Sequence, residues 1–127
     1  MPGPPGAIEP AVEALIQRCF AAINGDDFGA VASVFAEHCV DHNPLPGQPP
    51  GLLGIQLKHA FYRAVAPDAR TTVEAISREE DGYRVCWTTS AAGLGRVQYT
   101  GVCRIEGGRI CELRVLSSSP LLAETSG

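Results

Sequence analysis

The sequence has little positive charge and no long apolar run. Its 10 Lys and Arg residues stand against 14 Asp and Glu residues, which gives a formal net charge of -4 at pH 7. No basic surface is available to neutralise a phosphate backbone, so nucleic acid is not an expected partner. No apolar run approaches the ~20 residues that span a bilayer, and the start lacks the pattern of a secretory signal. We therefore expect a soluble, cytoplasmic protein without a membrane partner.

The sequence also lacks the cysteine pairs that are typical of disulfide frameworks and zinc sites. Its 5 cysteines form an odd set without any C-x-x-C pair, which favours small buried thiols. Metal-ligand residue types do occur together from His38 to His42, but strand alternation would send Cys39 and Asp41 to the face opposite His42. A metal site needs convergent ligands, so we expect no metal and no other cofactor.

A length of 127 residues suits one domain with a core and a ligand cavity. Residues 1–7 are too rich in Pro and Gly to pack and are predicted to form a disordered tail. We place the domain at residues 8–118 and a C-terminal tail at residues 119–127.

Helical periodicity dominates the first half of the chain. An apolar stripe from Pro10 to Ile23 predicts a first helix, and Asp26 or Asp27 can cap a second one. A third apolar stripe begins at Leu53 and is stopped by Pro67. A strand-like fragment, Val40 to Pro44, and a Pro-rich loop lie between the second and third helices.

Beyond Pro67 the apolar period changes to two, which predicts strands over 70–78, 83–90, 96–105 and 109–117. Odd-numbered positions carry most of the apolar bulk in the last three strands and should line one face. A three-residue loop over residues 106–108 would pair odd-numbered residues of the third strand with odd-numbered residues of the fourth. This loop would place Cys103 opposite Cys111 and Tyr99 opposite Val115.

This order predicts an α+β fold, in which three N-terminal helices pack on a curved antiparallel β-sheet and enclose a pocket. Residues 16–26 resemble the first helix of the bacterial ketosteroid isomerases, residues 58–62 their third helix and residues 111–116 their final strand. The segment His42-Asn43-Pro44, followed by Pro46-Gly47 and Gly51, is similar to the SnoaL-like polyketide cyclases, which share the fold. Over residues 8–118 the chain resembles the NTF2-like superfamily, whose fold is a cone.

The resemblance implies acid–base cyclisation or isomerisation of a ketone-bearing polycyclic or polyketide substrate, but the catalytic groups of these families are mostly missing. His42 matches the isomerase base on one alignment, whereas an alignment on Pro44 would place Asn43 there. The oxyanion tyrosine corresponds to Cys19, and its aspartic acid partner corresponds to Gly101. The cyclase aspartate falls at Val115 and the cyclase histidine at Gly101.

His42 is therefore the candidate catalytic residue, because its ordinary pKa of about 6.5 suits proton transfer near neutral pH. Tyr62 or Tyr99 could donate a hydrogen bond to a ligand carbonyl, and Trp87 offers a flat apolar surface. The complete set of predicted pocket residues is Cys19, Phe20, Phe61, Tyr62, Trp87, Tyr99, Gly101, Leu113, Val115 and Ser117.

Three functions remain open for this sequence. The first is an enzyme of secondary metabolism that uses His42 as a general base on a polyketide or polycyclic ketone. The second is a non-catalytic protein that binds a small apolar or polycyclic ligand. The third is an interaction module, a homodimer formed through the outer sheet face, where Val102, Ile110 and Leu116 are expected among charged residues.

Overall fold

The computed structural model describes residues 7–93 and 95–121. Within these residues the chain forms three α-helices and five β-strands. In chain order they are α1 (Pro10–Ile23), α2 (Phe28–Val34), β1 (Phe35–Asp41), α3 (Gly51–Val65), β2 (Arg70–Glu79), β3 (Gly82–Ala91), β4 (Gly95–Glu106) and β5 (Arg109–Leu121).

The predicted order of helices and strands is confirmed, and the differences lie at the ends. β5 continues to Leu121, so residues 119–121 belong to the sheet and not to a tail. The rest of the predicted C-terminal tail, residues 122–127, and residues 1–6 of the predicted N-terminal tail lie outside the described residues.

The helix ends follow local sequence signals. Pro10 occupies the first turn of α1, where its missing N–H costs no hydrogen bond. The carboxylate of Asp27 caps α2 by accepting a hydrogen bond of 2.8 Å from the backbone N–H of Gly29. The α1–α2 connection is fixed to the sheet by Asn24, whose side-chain amide accepts from the N–H of Thr71 and donates to its carbonyl oxygen.

The sheet is mixed, with the strand order β1-β5-β4-β3-β2. The last four strands are antiparallel as predicted, but β1 joins the sheet as a fifth strand, parallel to β5. We call the sheet face that packs on α1 and α2 the inner face. α3 packs on β1 and α2. The buried apolar core is formed by Leu15, Ile16, Cys19, Phe20, Ala22, Val31, Val34, Phe35, Cys39, Ile55, Val85 and Ile110.

The predicted register of the β4–β5 hairpin is wrong. Gly107 and Gly108 have φ angles of 59° and 75° and form a two-residue turn, with Glu106 paired to Arg109. An irregularity at Cys111 then restores the odd-to-odd pairing that the prediction assigned to a longer loop. Cys103 consequently lies opposite Leu113, not opposite Cys111.

The shift at Cys111 also changes which residues face the core. Ile110 pairs with Ile105 and is only 3% exposed, so the prediction that Ile110 lies on the outer face is wrong. A second shift, at Leu116, places Ser117 opposite Thr100 and Ser118 opposite Tyr99. Ser117 therefore lies on the face opposite Tyr99, because neighbouring residues of a strand alternate between faces.

Candidate functional site

The structure brings three of the predicted aromatic residues together on the inner face. The rings of Trp87 and Tyr99 stack with centroids 5.5 Å apart and an interplanar angle of 15°. The Phe20 ring, from α1, lies 5.5 Å from Trp87 and is tilted by 53°. Trp87 and Tyr99 are half-buried, so this aromatic cluster combines a packed side with an accessible one.

Gly101 explains why the indole can occupy this position. A Cβ at Gly101 would lie 2.9 Å from Trp87 Cη2 and 2.9 Å from the carbonyl oxygen of Arg114. Gly101 pairs with Val85, two residues before Trp87, on one side and with Val115 on the other. The space that a side chain at position 101 would need is therefore taken by the ring of Trp87 and by the carbonyl oxygen of Arg114.

Cys19 belongs to the buried core, where its thiol is not poised as a nucleophile. It is 5% exposed, and its burial raises the pKa of the thiol far above the ordinary value. Burial likewise raises the pKa of Cys39 to about 12 and that of Cys103 to about 11. A thiol that stays protonated at neutral pH is a poor nucleophile. Leu113 packs against the same core from β5.

Phe61 and Tyr62 lie on α3, away from the core. Each is 50% exposed, and their rings meet edge to face with centroids 5.6 Å apart. They project from the helix that packs on β1, whereas the stacked pair lies on β3 and β4.

His42 lies on the outer face of the sheet. Its backbone N–H donates to the carbonyl oxygen of Leu113, which continues the β1–β5 pairing beyond Asp41. The imidazole contacts two outer-face side chains of β5, with Nε2 2.6 Å from Glu112 Oε2 and Nδ1 3.3 Å from an Arg114 guanidinium nitrogen. The structure thus brings His42 together with Glu112 and Arg114, not with Trp87 and Tyr99. The catalytic role of His42 stays a prediction.

The contacts of His42 define its hydrogen-bonding state. Arg114 can only donate, so Nδ1 accepts, and Nε2–H donates to Glu112. The hydrogen bond from His42, followed by one from Arg104, lowers the pKa of the Glu112 carboxyl. A carboxylate that orients an imidazole is an arrangement that general bases use, although here Nδ1 contacts Arg114.

One carboxylate of β1, that of Asp41, lies on the inner side of the sheet. The sequence analysis did not propose Asp41 for the site. Asp41 pairs with Leu113, and its side chain is only 6% exposed. Its oxygens accept from the Asn43 N–H at 2.9 Å, from Gln48 at 3.1 Å and from Lys58 at 3.1 Å. Burial alone would raise the pKa of Asp41, but these three donors outweigh burial and lower it.

A signal for this orientation was present in the sequence. Phe35 and Cys39 share the parity of Asp41 and are both buried, so the apolar residues of β1 already marked the inward positions. Val40 obscured this signal, because it is apolar but 49% exposed.

A comparison with protein families matches residues 16–113 to the SnoaL-like domain. The match covers most of the chain, including the helices and strands that form the site. The chain belongs to the SnoaL-like domain family. This family is part of the NTF2-like superfamily, so the predicted superfamily is confirmed. A comparison with curated protein sequences finds no significant match.

Solved structures match this SnoaL-like chain across most of its length. A protein with a cystatin-like fold from Methylobium petroleophilum has a TM-score of 0.75 at 16% identity and covers 95% of this chain and 84% of its own. A candidate polyketide cyclase from Bacillus cereus has a TM-score of 0.72 at 18% identity, with 91% and 86% covered. Wild-type IdmH, a candidate polyketide cyclase from Streptomyces antibioticus, has a TM-score of 0.70 at 20% identity, with 85% and 91% covered. At these identities the likeness shows the fold.

Among the described residues of this SnoaL-like chain, no helix combines the length and the apolar character needed to cross a bilayer.

Proposed function

We propose that this SnoaL-like protein binds a small, flat, largely apolar ligand at the inner face of its sheet. The observation that carries the proposal is the half-buried stack of Trp87 and Tyr99, with Phe20 behind it. Aromatic rings that are held rigidly on one side present a large apolar surface to a planar ligand at low entropic cost. In this proposal Cys19, Gly101, Leu113 and Val115 line the same region, and Phe61 and Tyr62 of α3 lie outside it.

Trp87 reports on binding directly, because it is the only tryptophan in the chain. We expect titration with 2-acetylnaphthalene, a flat two-ring ketone, to quench its fluorescence in a saturable way. Tyr99→Leu should weaken binding roughly threefold to tenfold, the factor that corresponds to the ~0.5–1.5 kcal/mol of one aromatic contact.

Val102→Ala is the matched control for Tyr99→Leu, because Val102 lies on the same strand but on the outer face. It should leave the affinity unchanged. Equal affinities in all three proteins, or quenching that never saturates, would contradict the proposed site.

Acid–base turnover of a bound ketone is a second candidate function. Membership of the SnoaL-like family supports this function. Asp41 also supports it, because this residue points to the inner side of the sheet and its carboxylate lies beside Lys58. Binding is favoured over turnover because three donors already hold this carboxylate, which makes it a weak base in the resting protein.

Proton abstraction can be measured without knowing the natural substrate. In deuterated water, a base in the cone should exchange the methyl protons of 2-acetylnaphthalene faster than buffer does, and proton NMR follows the loss of the signal. We expect Asp41→Asn to abolish the exchange and His42→Ala to preserve it. The opposite pattern would support the sequence-based prediction for His42, and no exchange in any variant would leave binding as the function.

A further inference from the structure

The outer face of the sheet carries a groove that is separate from the aromatic site. Its volume is about 360 Å³, at the lower end of the range for small-molecule sites. Val102, Arg104, Glu112 and Arg114 form the floor. The β2–β3 turn, residues 79–82, closes one end, and His42 closes the other.

Charged side chains of opposite sign lie at the two ends of this groove. Glu80 and Asp81 are exposed on the turn, whereas the Arg114 guanidinium lies beside His42. Within residues 7–93 and 95–121, none of these three charged groups forms an ion pair. Arg104, between the two ends, is already neutralised by Glu106 and Glu112. The uncompensated charges of the groove are therefore acidic at the turn and basic at Arg114.

The hydrogen bonds of His42 leave Arg114 able to bind an anion. Nε2 of the imidazole lies against Glu112, and Nδ1 accepts from only one guanidinium nitrogen of Arg114. A guanidinium has five N–H donors, and the remaining ones can take a carboxylate in the bidentate geometry.

The separation of the two ends sets the size of a ligand. The turn precedes β3 and is level with Arg104 of β4, whereas Arg114 of β5 pairs with Val102, two residues further along. Two strand spacings of about 4.8 Å across the sheet and two residues of about 3.3 Å along it separate the ends by roughly 12 Å. An extended peptide spans at most about 3.5 Å per residue, so three to four residues cover this distance.

We propose that the groove binds a short zwitterion of tripeptide size, with its ammonium group at Glu80 and Asp81 and its carboxylate at Arg114. The site and the proposed ligand differ from those of the aromatic cluster in both position and polarity. A ligand of one charge sign would satisfy one end and be repelled by the other, which favours a molecule that carries both charges.

Three probes test the two ends separately in calorimetric or NMR titrations of the full chain. Triglycine carries both charges, N-acetyl-triglycine lacks the ammonium group, and triglycinamide lacks the carboxylate. We expect triglycine to bind about tenfold more tightly than either blocked peptide. Arg114→Gln should weaken triglycine about tenfold and leave triglycinamide unchanged, and the double variant Glu80→Gln/Asp81→Asn should weaken triglycine but not N-acetyl-triglycine.

Matched controls are Arg96→Gln and Glu74→Gln, which remove exposed charges of the same kinds from outside the groove. Both should bind triglycine as the original chain does. The proposal is overturned if triglycine does not bind at millimolar concentration, if the three peptides bind equally, or if the control variants weaken binding as much as the groove variants do.

Discussion

The absence of a side chain at Gly101 leaves the space on the inner face that the Trp87 ring occupies. The indole lies where a side chain at position 101 would be, with Trp87 Cη2 2.9 Å from an added Cβ. A larger side chain at this position and the Trp87 ring in its observed position exclude each other.

We expect Gly101→Ala to lower the free energy of unfolding by about 1–3 kcal/mol, because an added methyl overpacks a filled site. Urea denaturation followed by Trp87 fluorescence measures the change. Gly25→Ala is the control, since its added Cβ would meet only ordinary contacts, the nearest at 3.5 Å. An equal effect of both substitutions would show that the space around Trp87 is not the cause.

His59 is the buried histidine of α3. It is 9% exposed, and neither ring nitrogen has a hydrogen-bond partner in the part of the chain that the structure describes. We expect His59→Leu to raise the free energy of unfolding by about 1 kcal/mol, because an apolar side chain removes two unsatisfied polar atoms. Thermal melting measures the gain, with His38→Leu, a substitution at an exposed position, as the control. Destabilisation by His59→Leu would contradict this account.

At the scale of elements, Asp41 connects the end of β1 to α3. Its carboxylate accepts from Lys58 on the helix and from Gln48 in the loop between them, and Lys58 also donates to the Asn43 carbonyl oxygen at 2.7 Å. These contacts fix the long connection that leads from the parallel edge strand into α3. Asp41 therefore supports the fold whether or not it takes part in chemistry.

This connection predicts a pH dependence of stability. Because the pKa of Asp41 is lowered in the folded chain, its carboxylate stabilises the fold above the ordinary Asp value of about 3.9, and this stabilisation is lost as pH falls through the lower folded value. Asp41→Asn should reduce the free energy of unfolding near neutral pH and flatten its fall below roughly pH 4. Urea denaturation of both proteins over this pH range measures the effect, and parallel curves would contradict it.

At the scale of the whole molecule, the predicted homodimer through the sheet has less apolar support than the sequence indicated. Ile110 packs in the core, which leaves Val102 and Leu116 among Arg104, Glu112 and Arg114 on the outer side. A dimer through this face would depend mainly on charge pairs.

We therefore expect any dimer fraction in sedimentation velocity experiments to fall as salt rises, because exposed ion pairs are screened within a Debye length of about 8–10 Å. Arg114→Glu should reduce it further at low salt. A dimer that persists at high salt would place the interface on another, more apolar surface.

The order of helices and strands follows from the amino-acid sequence alone, because helical and strand periodicity are local properties of the apolar pattern. The sequence also predicted the NTF2-like fold and three aromatic residues that meet on the inner face, Phe20, Trp87 and Tyr99. The alternation of odd-numbered and even-numbered positions assigned Trp87 and Tyr99 to the correct face, because the β3–β4 pairing has no irregularity.

The faces on which His42 and Ile110 lie depend on long-range strand pairing. The shift at Cys111 turns Ile110 inward and leaves Leu113 and Val115 on the predicted face, and the parallel pairing of β1 with β5 turns Asp41 inward and His42 outward. Bulges and strand partners depend on contacts between residues far apart in the chain, such as His42 and Glu112, which local periodicity does not contain. The same histidine that the sequence selected as a base in the pocket thus lies, in the folded chain, at the end of a charged groove on the opposite face.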